Sequence, residues 1–523
     1  MRPLALALLP ALAGLAASPA AAQDFAAGPD RDLVAGACGQ CHEPSIITSR
    51  HLSPAQWNTT VKQMISHGAR VADPDLPKIV AYLSAHYGTG APGDGGAGGG
   101  GGKSAGLIAR SRANPLLLPS YPPNPWRKEE GKPIETRWPE KQDDAPDFPG
   151  QTRAPYHASA AYRTVTITDK LVRPWAVAFL PDGKMLITQR LGTMVIVDPG
   201  GRISAPIAGV PELSDTGTQA GLLDVVLDPK FEANHRIFFT YNRPVAPKGA
   251  ASPPDGDQDA MSVASATLDE AGLALKDLKV IFSARPAVSD NLYLSKQGSR
   301  IAIAKDGSLF VTIGDRDTIE IPPPPWMVAQ HLNNTLGKIV HILPDGTPAP
   351  DNPFLHTPGA LPEIWAIGVR SQEGLTFDDK GRLWEVEDGP RGGDELNLIK
   401  RGANYGWPIV VHGIDYPGFV IGDGITHQDG MEDPRYYWDP TIAPSGMVFY
   451  YGALFPQWRG SLFVSALRGK MLDHITLSAD DKVVSEEPLL TELDQRIRDV
   501  RVGPDGALYV LTDGTSLIKI VPR

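Results

Sequence analysis

Pro181-Asp182-Gly183-Lys184-Met185-Leu186-Ile187-Thr188 is a tight turn feeding a short apolar strand, and the chain repeats it. The theme returns as Lys305-Asp306-Gly307-Ser308-Leu309-Phe310-Val311-Thr312 and as Pro504-Asp505-Gly506-Ala507-Leu508-Tyr509-Val510-Leu511-Thr512, with weaker copies at 234–240, 380–386 and 458–465. Asp-Gly suits such turns because glycine tolerates the positive φ that they demand. A turn and strand recurring over a long stretch imply radially stacked, four-stranded blades with short edges. The predicted fold of residues 161–523 is therefore an all-β six-bladed β-propeller. Two separate β-sandwiches would also alternate strands and turns, but they explain the recurring Asp-Gly less well. The passages 246–259 and 318–326 read as insertions between strands, the second with four consecutive prolines, and long loops of that kind often shape a substrate mouth.

A chain of 523 residues exceeds what one core supports, so at least two domains are expected. The formal net charge of -11, with no long basic run, argues against a nucleic-acid or anionic membrane surface. The expected partners are a small molecule or another protein. Residues 1–22 read as a secretory signal, with Arg2, an apolar run from Leu4 to Leu15 and a small-residue site for cleavage after Ala22. No later segment is long and apolar enough to span a bilayer, and a periplasmic or secreted location is expected.

Cys38 and Cys41 are the only cysteines, and they stand in Cys38-Gly39-Gln40-Cys41-His42. This spacing is the attachment pattern for haem c: two thiols bond the porphyrin edge and His42 becomes the proximal iron ligand. A redox dithiol and a structural disulfide are the alternatives, while a closed zinc site lacks a second cysteine pair. Trp57, Val61, Met64 and Ile65 recur at helical spacing, as do Ile79, Tyr82 and Leu83, so 23–88 is expected to be a small all-α cytochrome c domain. Residues 89–160 read as a Gly-rich and then Pro-rich linker. The segment 53–88 resembles the class I cytochrome c domains fused to quinoproteins, and that resemblance implies Met64 as the distal ligand. A core methionine is the alternative role for Met64, and His67 the competing ligand.

The larger region resembles the soluble glucose and aldose sugar dehydrogenases, the glucose/sorbosone dehydrogenase group, over nearly all of 171–523. The resemblance is carried by an ordered set: Gln219-Ala220-Gly221-Leu222-Leu223-Asp224, Gln297-Gly298-Ser299-Arg300, Ile313-Gly314-Asp315-Arg316, 387–395, Gly402-Ala403-Asn404-Tyr405-Gly406-Trp407-Pro408 and Arg496-Ile497-Arg498-Asp499-Val500. It implies a PQQ- and calcium-dependent dehydrogenase on a six-bladed propeller. PQQ carries three carboxylates, and Arg496 and Arg498, two apart on a predicted strand, would present their guanidinium forks together. A solvated charged face is the alternative for that pair. The resemblance implies that Arg370 stabilises charge near the quinone carbonyl, that Gln219 and Arg468 contact the cofactor's edge, and that the Gly389-Pro390 turn offers carbonyls to Ca2+. Asp394 and Glu395 are equally well read as turn-stabilising groups.

The match breaks at three places in the same pocket. Lys296 stands where the family has its base histidine, Arg370-Ser371-Gln372-Glu373-Gly374 replaces Arg-Asn-Pro-Gln-Gly, and Glu387-Asp388-Gly389-Pro390 replaces Glu-His-Gly-Pro. Lys296 can serve as a base only if burial and like charge strip its proton; otherwise it is a cationic contact. The expected function is oxidation of an aldose or other alcohol by PQQ, with electrons passed to haem c and on to an acceptor protein or respiratory chain. A non-catalytic propeller for binding, with an electron-transfer haem domain, is the alternative.

Overall fold

The computed structural model describes residues 25–38, 54, 57–58, 61, 71, 74–88, 126–214, 219–246, 258–289, 296–316, 327–415 and 420–523. The chain divides into two compact units, Met1–Gly98 and Gly99–Arg523. The expected signal segment 1–22 lies outside the described residues, and no helix among those described is long and apolar enough to cross a membrane.

In the smaller unit, helices α1 (Arg31–Cys38) and α2 (Leu76–Tyr87) carry the helical spacing seen in the sequence. Ile79, Tyr82 and Leu83 fall on one face of α2 and are buried with Val34, Trp57 and Val61. Pro77 sits in the first turn of α2, where its missing N–H has no intrahelical partner to lose. At the other end Trp57 Nε1 donates to the Tyr87 carbonyl at 3.0 Å, satisfying an acceptor that a helix terminus leaves open. Cys38 ends α1, while Cys41, His42, Met64 and His67 lie outside the described residues.

The larger unit contains six antiparallel sheets in chain order: blade 1 (174–197), blade 2 (222–289), blade 3 (298–367), blade 4 (372–438), blade 5 (444–489) and blade 6 (497–522). Blade 6 takes its fourth strand, Tyr162–Thr168, from ahead of blade 1, and this strand pairs with Leu517–Pro522. The two ends of the unit thereby meet inside one sheet, which closes the ring. Each copy of the turn-and-strand theme is the second strand of a blade: Met185–Gln189, Arg236–Pro244, Leu309–Ile313, Leu383–Glu387, Leu462–Ala466 and Leu508–Thr512. The six-bladed propeller expected from the sequence is thus the observed fold. Apolar residues fill the spaces between blades, with Trp175, Leu186, Phe239 and Tyr241 sharing one cluster and Val263, Ile301, Val311 and Ile313 another.

The first strand of every blade touches its neighbours' first strands around the axis. Arg300, 2 % exposed, holds this inner ring together. Its Nη1 donates to Asp499 Oδ1 at 2.9 Å, its Nε to the Glu373 carbonyl at 2.6 Å and its Nη2 to the Arg498 carbonyl at 3.2 Å, while its guanidinium lies 4.0 Å from the Trp175 ring centroid. Arg501 completes the hub, donating to Asp224 Oδ1 at 2.8 Å and Asp499 Oδ2 at 3.1 Å. Blade 5 joins through Ser445 Oγ, which donates to the Arg498 carbonyl at 2.6 Å.

Residues 126–160 fall within the stretch expected as linker, yet they pack on blades 4 and 5. Trp126, Ile134 and Ala154 enter a core shared with Trp384, Trp438 and Ile442. The backbone N–H groups of Glu140 and Lys141 donate to Asp439 at 2.8 and 3.0 Å. Such a strap satisfies its polar groups one at a time on side chains and loops, so it carries none of the periodicity that marks strands or helices.

Arg300→Met should destabilise the propeller by roughly 3–5 kcal/mol, because it leaves buried Asp224 and Asp499 with Arg501 alone. Urea unfolding followed by tryptophan fluorescence checks this, and a near-neutral result would show that the hub charges relax without the Arg300 fork.

Candidate functional site

Each blade opens on its inner strand, so the residues leading into those strands gather at one end of the ring. Lys296 precedes Gly298–Ile303, Arg370 precedes Gln372–Phe377, Gln219 precedes Leu222–Leu227, and Arg496 and Arg498 bracket the start of Ile497–Val502.

Lys296 is 7 % exposed, and its backbone is fixed from below. Gly314 N donates to the Gln297 carbonyl at 3.0 Å, and a Cβ on Gly314 would lie 2.0 Å from the Lys296 oxygen, so only glycine fits there. Asn242 Nδ2 bridges Gln297 Oε1 at 2.7 Å and Asp259 Oδ1 at 2.8 Å. Arg316 grips the same Asp259 with both terminal nitrogens, at 2.9 and 3.2 Å. The Ile313-Gly314-Asp315-Arg316 motif therefore builds the floor under Lys296.

Arg370 is aimed by its neighbours. Its Nη1 donates to the carbonyls of Asp388 and Gly389, each at 2.8 Å, and its guanidinium lies 5.0 Å from the Trp407 ring centroid. Trp407 is in turn fixed by its Nε1 donating to Asp315 Oδ2 at 2.7 Å, and Asp315 N donates to the Arg370 carbonyl at 2.8 Å.

Arg496 and Arg498 reach the same carboxylate, as side chains two residues apart should. Arg496 Nε donates to Asp513 Oδ2 at 3.1 Å, and Arg498 Nη2 to Asp513 Oδ1 at 3.0 Å. Burial alone would raise Asp513, but the charges of Arg498 and Arg496 overcome it and hold the carboxyl far below its ordinary range. Two more cations join them. Arg173 Nη1 donates to the Asp513 carbonyl at 3.3 Å, and Arg190 Nη1 to the Ala220 carbonyl at 3.0 Å, with burial pushing Arg190 down to about 10. Four guanidinium groups against one carboxylate give this side of the mouth a local excess of positive charge.

Gln219 and Arg468 stand on either flank. Gln219 Oε1 is buried and accepts no hydrogen bond among the described residues. Arg468 Nη1 donates to Thr441 Oγ1 at 2.6 Å, and burial lowers its pKa to about 10. Beside Arg468, the Gly469 carbonyl accepts from Trp126 Nε1 at 2.9 Å, so the strap reaches the rim.

Sequence reasoning gave no role to two acids in this pocket, Glu373 and Asp388. Asp388 lies within the electrostatic reach of Lys296, Arg370, Arg498 and Arg496, which therefore share one site, and its Oδ1 accepts no hydrogen bond among the described residues. Glu373 is pushed up to about 8, chiefly by burial and then by Asp388, against Arg498, Arg300 and Lys296. The signal was visible: both occupy positions where the chain departs from the family pattern.

Behind the Gly389-Pro390 turn, the pairing of Leu383–Glu387 with Asp394–Ile399 sets Glu385 opposite Asn397 and Glu387 opposite Glu395. Alternate residues share a face, so these four side chains form one buried, oxygen-rich group. Asn397 Nδ2 donates to Glu385 Oε2 at 3.3 Å and Glu395 Oε2 at 3.2 Å, leaving Glu385 Oε1 and Asn397 Oδ1 buried without partners among the described residues. Burial raises Glu385 and Glu395 well above the usual carboxylate range and Glu387 to about 7.

The model of the glucose/sorbosone dehydrogenase family matches residues 171–519, the whole span that holds these groups. The chain belongs to this family. It is 40 % identical over 372 residues to the aldose sugar dehydrogenase YliI of Escherichia coli (strain K12), covering 70 % of this chain and 94 % of that protein. It is 25 % identical over 417 residues to quinoprotein glucose dehydrogenase B of Acinetobacter calcoaceticus, covering 66 % and 84 %. The apo structure of the soluble aldose sugar dehydrogenase from Escherichia coli superposes with a TM-score of 0.62 at 38 % identity, over 69 % of this chain and all of that one. The PQQ-bound aldose sugar dehydrogenase of Streptomyces coelicolor gives a TM-score of 0.54 at 27 % identity, over 70 % and 99 %. All of these matches fall short of the whole chain by a similar margin.

The buried acids set a pH dependence. Glutamates in the unfolded chain titrate near 4.5, whereas Glu387 and Glu373 keep their protons to about 7 and 8. Between those limits the folded protein holds protons that the unfolded chain has released, so stability is greatest at the acid end and is lost as the pH rises through 7 to 8. In metal-free buffer the urea midpoint should fall between pH 5.5 and 8.5, and Glu385→Leu should make the fall shallower. A midpoint that rises over this window would mean the acids are ionised and paired in the fold.

Proposed function

We propose that this chain is an exported quinohaemoprotein dehydrogenase that oxidises an aldose or other alcohol with PQQ and passes the electrons to haem c on its own N-terminal unit. The observation that carries the reading is the anion site of Arg496, Arg498, Arg173 and Arg190 at the mouth of a propeller whose relatives include glucose and aldose sugar dehydrogenases and a PQQ-bound structure. The residues fit the cofactor: guanidinium forks match its carboxylates, and the open acceptor of Gln219 suits a donor on its edge. PQQ supplies a quinone able to take up a hydride. Around it Arg496 and Arg498 bind and orient the anion, Arg468 closes one flank, and Arg370, held by two carbonyls, stabilises negative charge at the reacting end. Lys296 adds a cation next to Asp388.

For calcium the Gly389-Pro390 turn is a poor fit as it stands, because the Gly389 carbonyl already faces the Arg370 guanidinium, which would repel a second cation. Glu385, Glu395 and Asn397 offer the all-oxygen set a hard divalent ion takes. Calcium should therefore raise the thermal midpoint, more at pH 8 than at pH 5.5, and Glu395→Gln should remove the gain. A midpoint indifferent to calcium would count against this placement.

In the smaller unit Cys38 and Cys41 would hold the porphyrin, with His42 and either Met64 or His67 as axial ligands. Carrying the haem on the same chain keeps it at high effective concentration near the mouth while leaving it able to reach an acceptor protein. The test adds PQQ and calcium to the purified haem-loaded chain and follows haem absorbance while aldoses and alcohols are supplied. Haem reduction should require both quinone and substrate, and Arg498→Ala should weaken quinone binding roughly ten- to a hundredfold. Quinone binding without any haem reduction would favour the second reading, a non-catalytic binding propeller, to which Lys296 in the place of the family's histidine lends support.

A further inference from the structure

Removing hydride from an alcohol carbon requires a group that takes the hydroxyl proton, and most of the polar side chains in this mouth cannot do so. Guanidinium groups and a charged ammonium have no lone pair to offer. Asp513 is clamped by Arg496 and Arg498, and Asp224 and Asp499 are closed into the hub by Arg300 and Arg501. Glu373 differs from all of these. It is the second residue of the inner strand Gln372–Phe377 and only 7 % exposed. Among the described residues its carboxylate has two partners, both at long range: Ser371 Oγ at 3.4 Å and Arg498 Nη1 at 3.9 Å. Arg498 connects it to the anion site, and Lys296 and Asp388 lie within its electrostatic reach. A carboxylate so loosely held, at the inner edge of the mouth, is free to exchange a proton.

We propose that Glu373 is the proton acceptor for the substrate hydroxyl. The inference rests on the dehydrogenase reading above. The O–H bond breaks and its proton passes to the Glu373 carboxylate. The C–H bond breaks and carries its electron pair as hydride to the bound quinone, while the oxygen's electrons close the carbonyl. The substrate is oxidised by two electrons and the quinone is the oxidant. Burial, with Asp388 adding and Arg498, Arg300 and Lys296 opposing, pushes Glu373 up to about 8, which suits a general base working near neutrality.

The experiment compares wild type with Glu373→Gln, Glu373→Asp and Glu373→Ala. Quinone binding is measured by absorbance titration of the full chain, and kcat and KM across pH 6 to 9.5. Glu373→Gln should bind quinone at least as tightly as wild type, most clearly above about pH 8, where it removes a negative charge beside an anion site. Its kcat should fall about a hundredfold or more with KM little changed, as expected for loss of a general base. The rise of wild-type kcat towards a plateau above about pH 8 should vanish, Glu373→Asp should recover part of the rate, and added formate should restore turnover to Glu373→Ala. A Glu373→Gln protein that binds quinone and keeps the wild-type rate and pH profile overturns the inference. So does a slow, quinone-binding Glu373→Ala that formate leaves unchanged. A wild type that binds no quinone, or binds it and oxidises no aldose or alcohol, overturns the dehydrogenase reading itself, and that outcome is seen before any variant is made.

Discussion

The propeller depends on one buried guanidinium. An inner ring of six first strands brings backbone groups and charges from every blade towards one axis, where water cannot solvate them. Arg300 meets this constraint by satisfying a carbonyl of blade 4 and both a carbonyl and a carboxylate of blade 6 while its guanidinium packs over Trp175 of blade 1. Burying an ion pair is costly unless the remaining hydrogen-bonding positions are filled, and here Arg501, Ile301 N and Val177 N complete Asp224 and Asp499. The hub does more than stabilise. It sets the height at which Glu373 and Arg498 stand, since the carbonyls of both accept hydrogen bonds from Arg300.

Above that hub the charges separate by side. Blades 1 and 6 present Arg173, Arg190, Arg496 and Arg498 around Asp513, whereas blade 4 presents Glu373 and Asp388 and also carries the buried acids Glu385, Glu387 and Glu395. Arg370 and Lys296 both lie within electrostatic reach of Asp388. An anion entering this opening is drawn to one wall and meets groups able to accept protons on the other, a polarity that follows from where the strands begin rather than from any single side chain.

Much of this architecture could be read from residue order. The turn-and-strand theme marks the second strand of all six blades because hairpin turns and half-buried strands leave local signatures. The pairing of Arg496 with Arg498 follows from strand periodicity alone. Other features left no local mark. Arg173, Arg190 and Asp513 converge from blades 1 and 6, and nothing in a linear pattern brings such positions together. The strap 126–160 is stabilised by isolated contacts such as Trp126 with Gly469 and Arg153 with Asp439, which have no period to detect. Several motif residues were legible as a set but not in their roles: Arg300, Arg316 and Asp499 belong to the framework beneath the pocket and not to its lining.

The three departures from the family pattern, far apart in the sequence, are one physical unit in the fold. Lys296, Glu373 and Asp388 come from two blades, and each acid feels the lysine's charge as well as the other acid. A lysine alone in the place of a neutral histidine would add positive charge beside Arg370, Arg496 and Arg498 and would remove a proton acceptor. Two acids in the same pocket, when ionised, counter that charge and offer a lone pair. A carboxylate without the lysine would face a steeper desolvation cost, and the lysine without the carboxylates would be repelled by the guanidinium groups around it. Electrostatics therefore couples the three positions, each setting part of the charge that the other two feel.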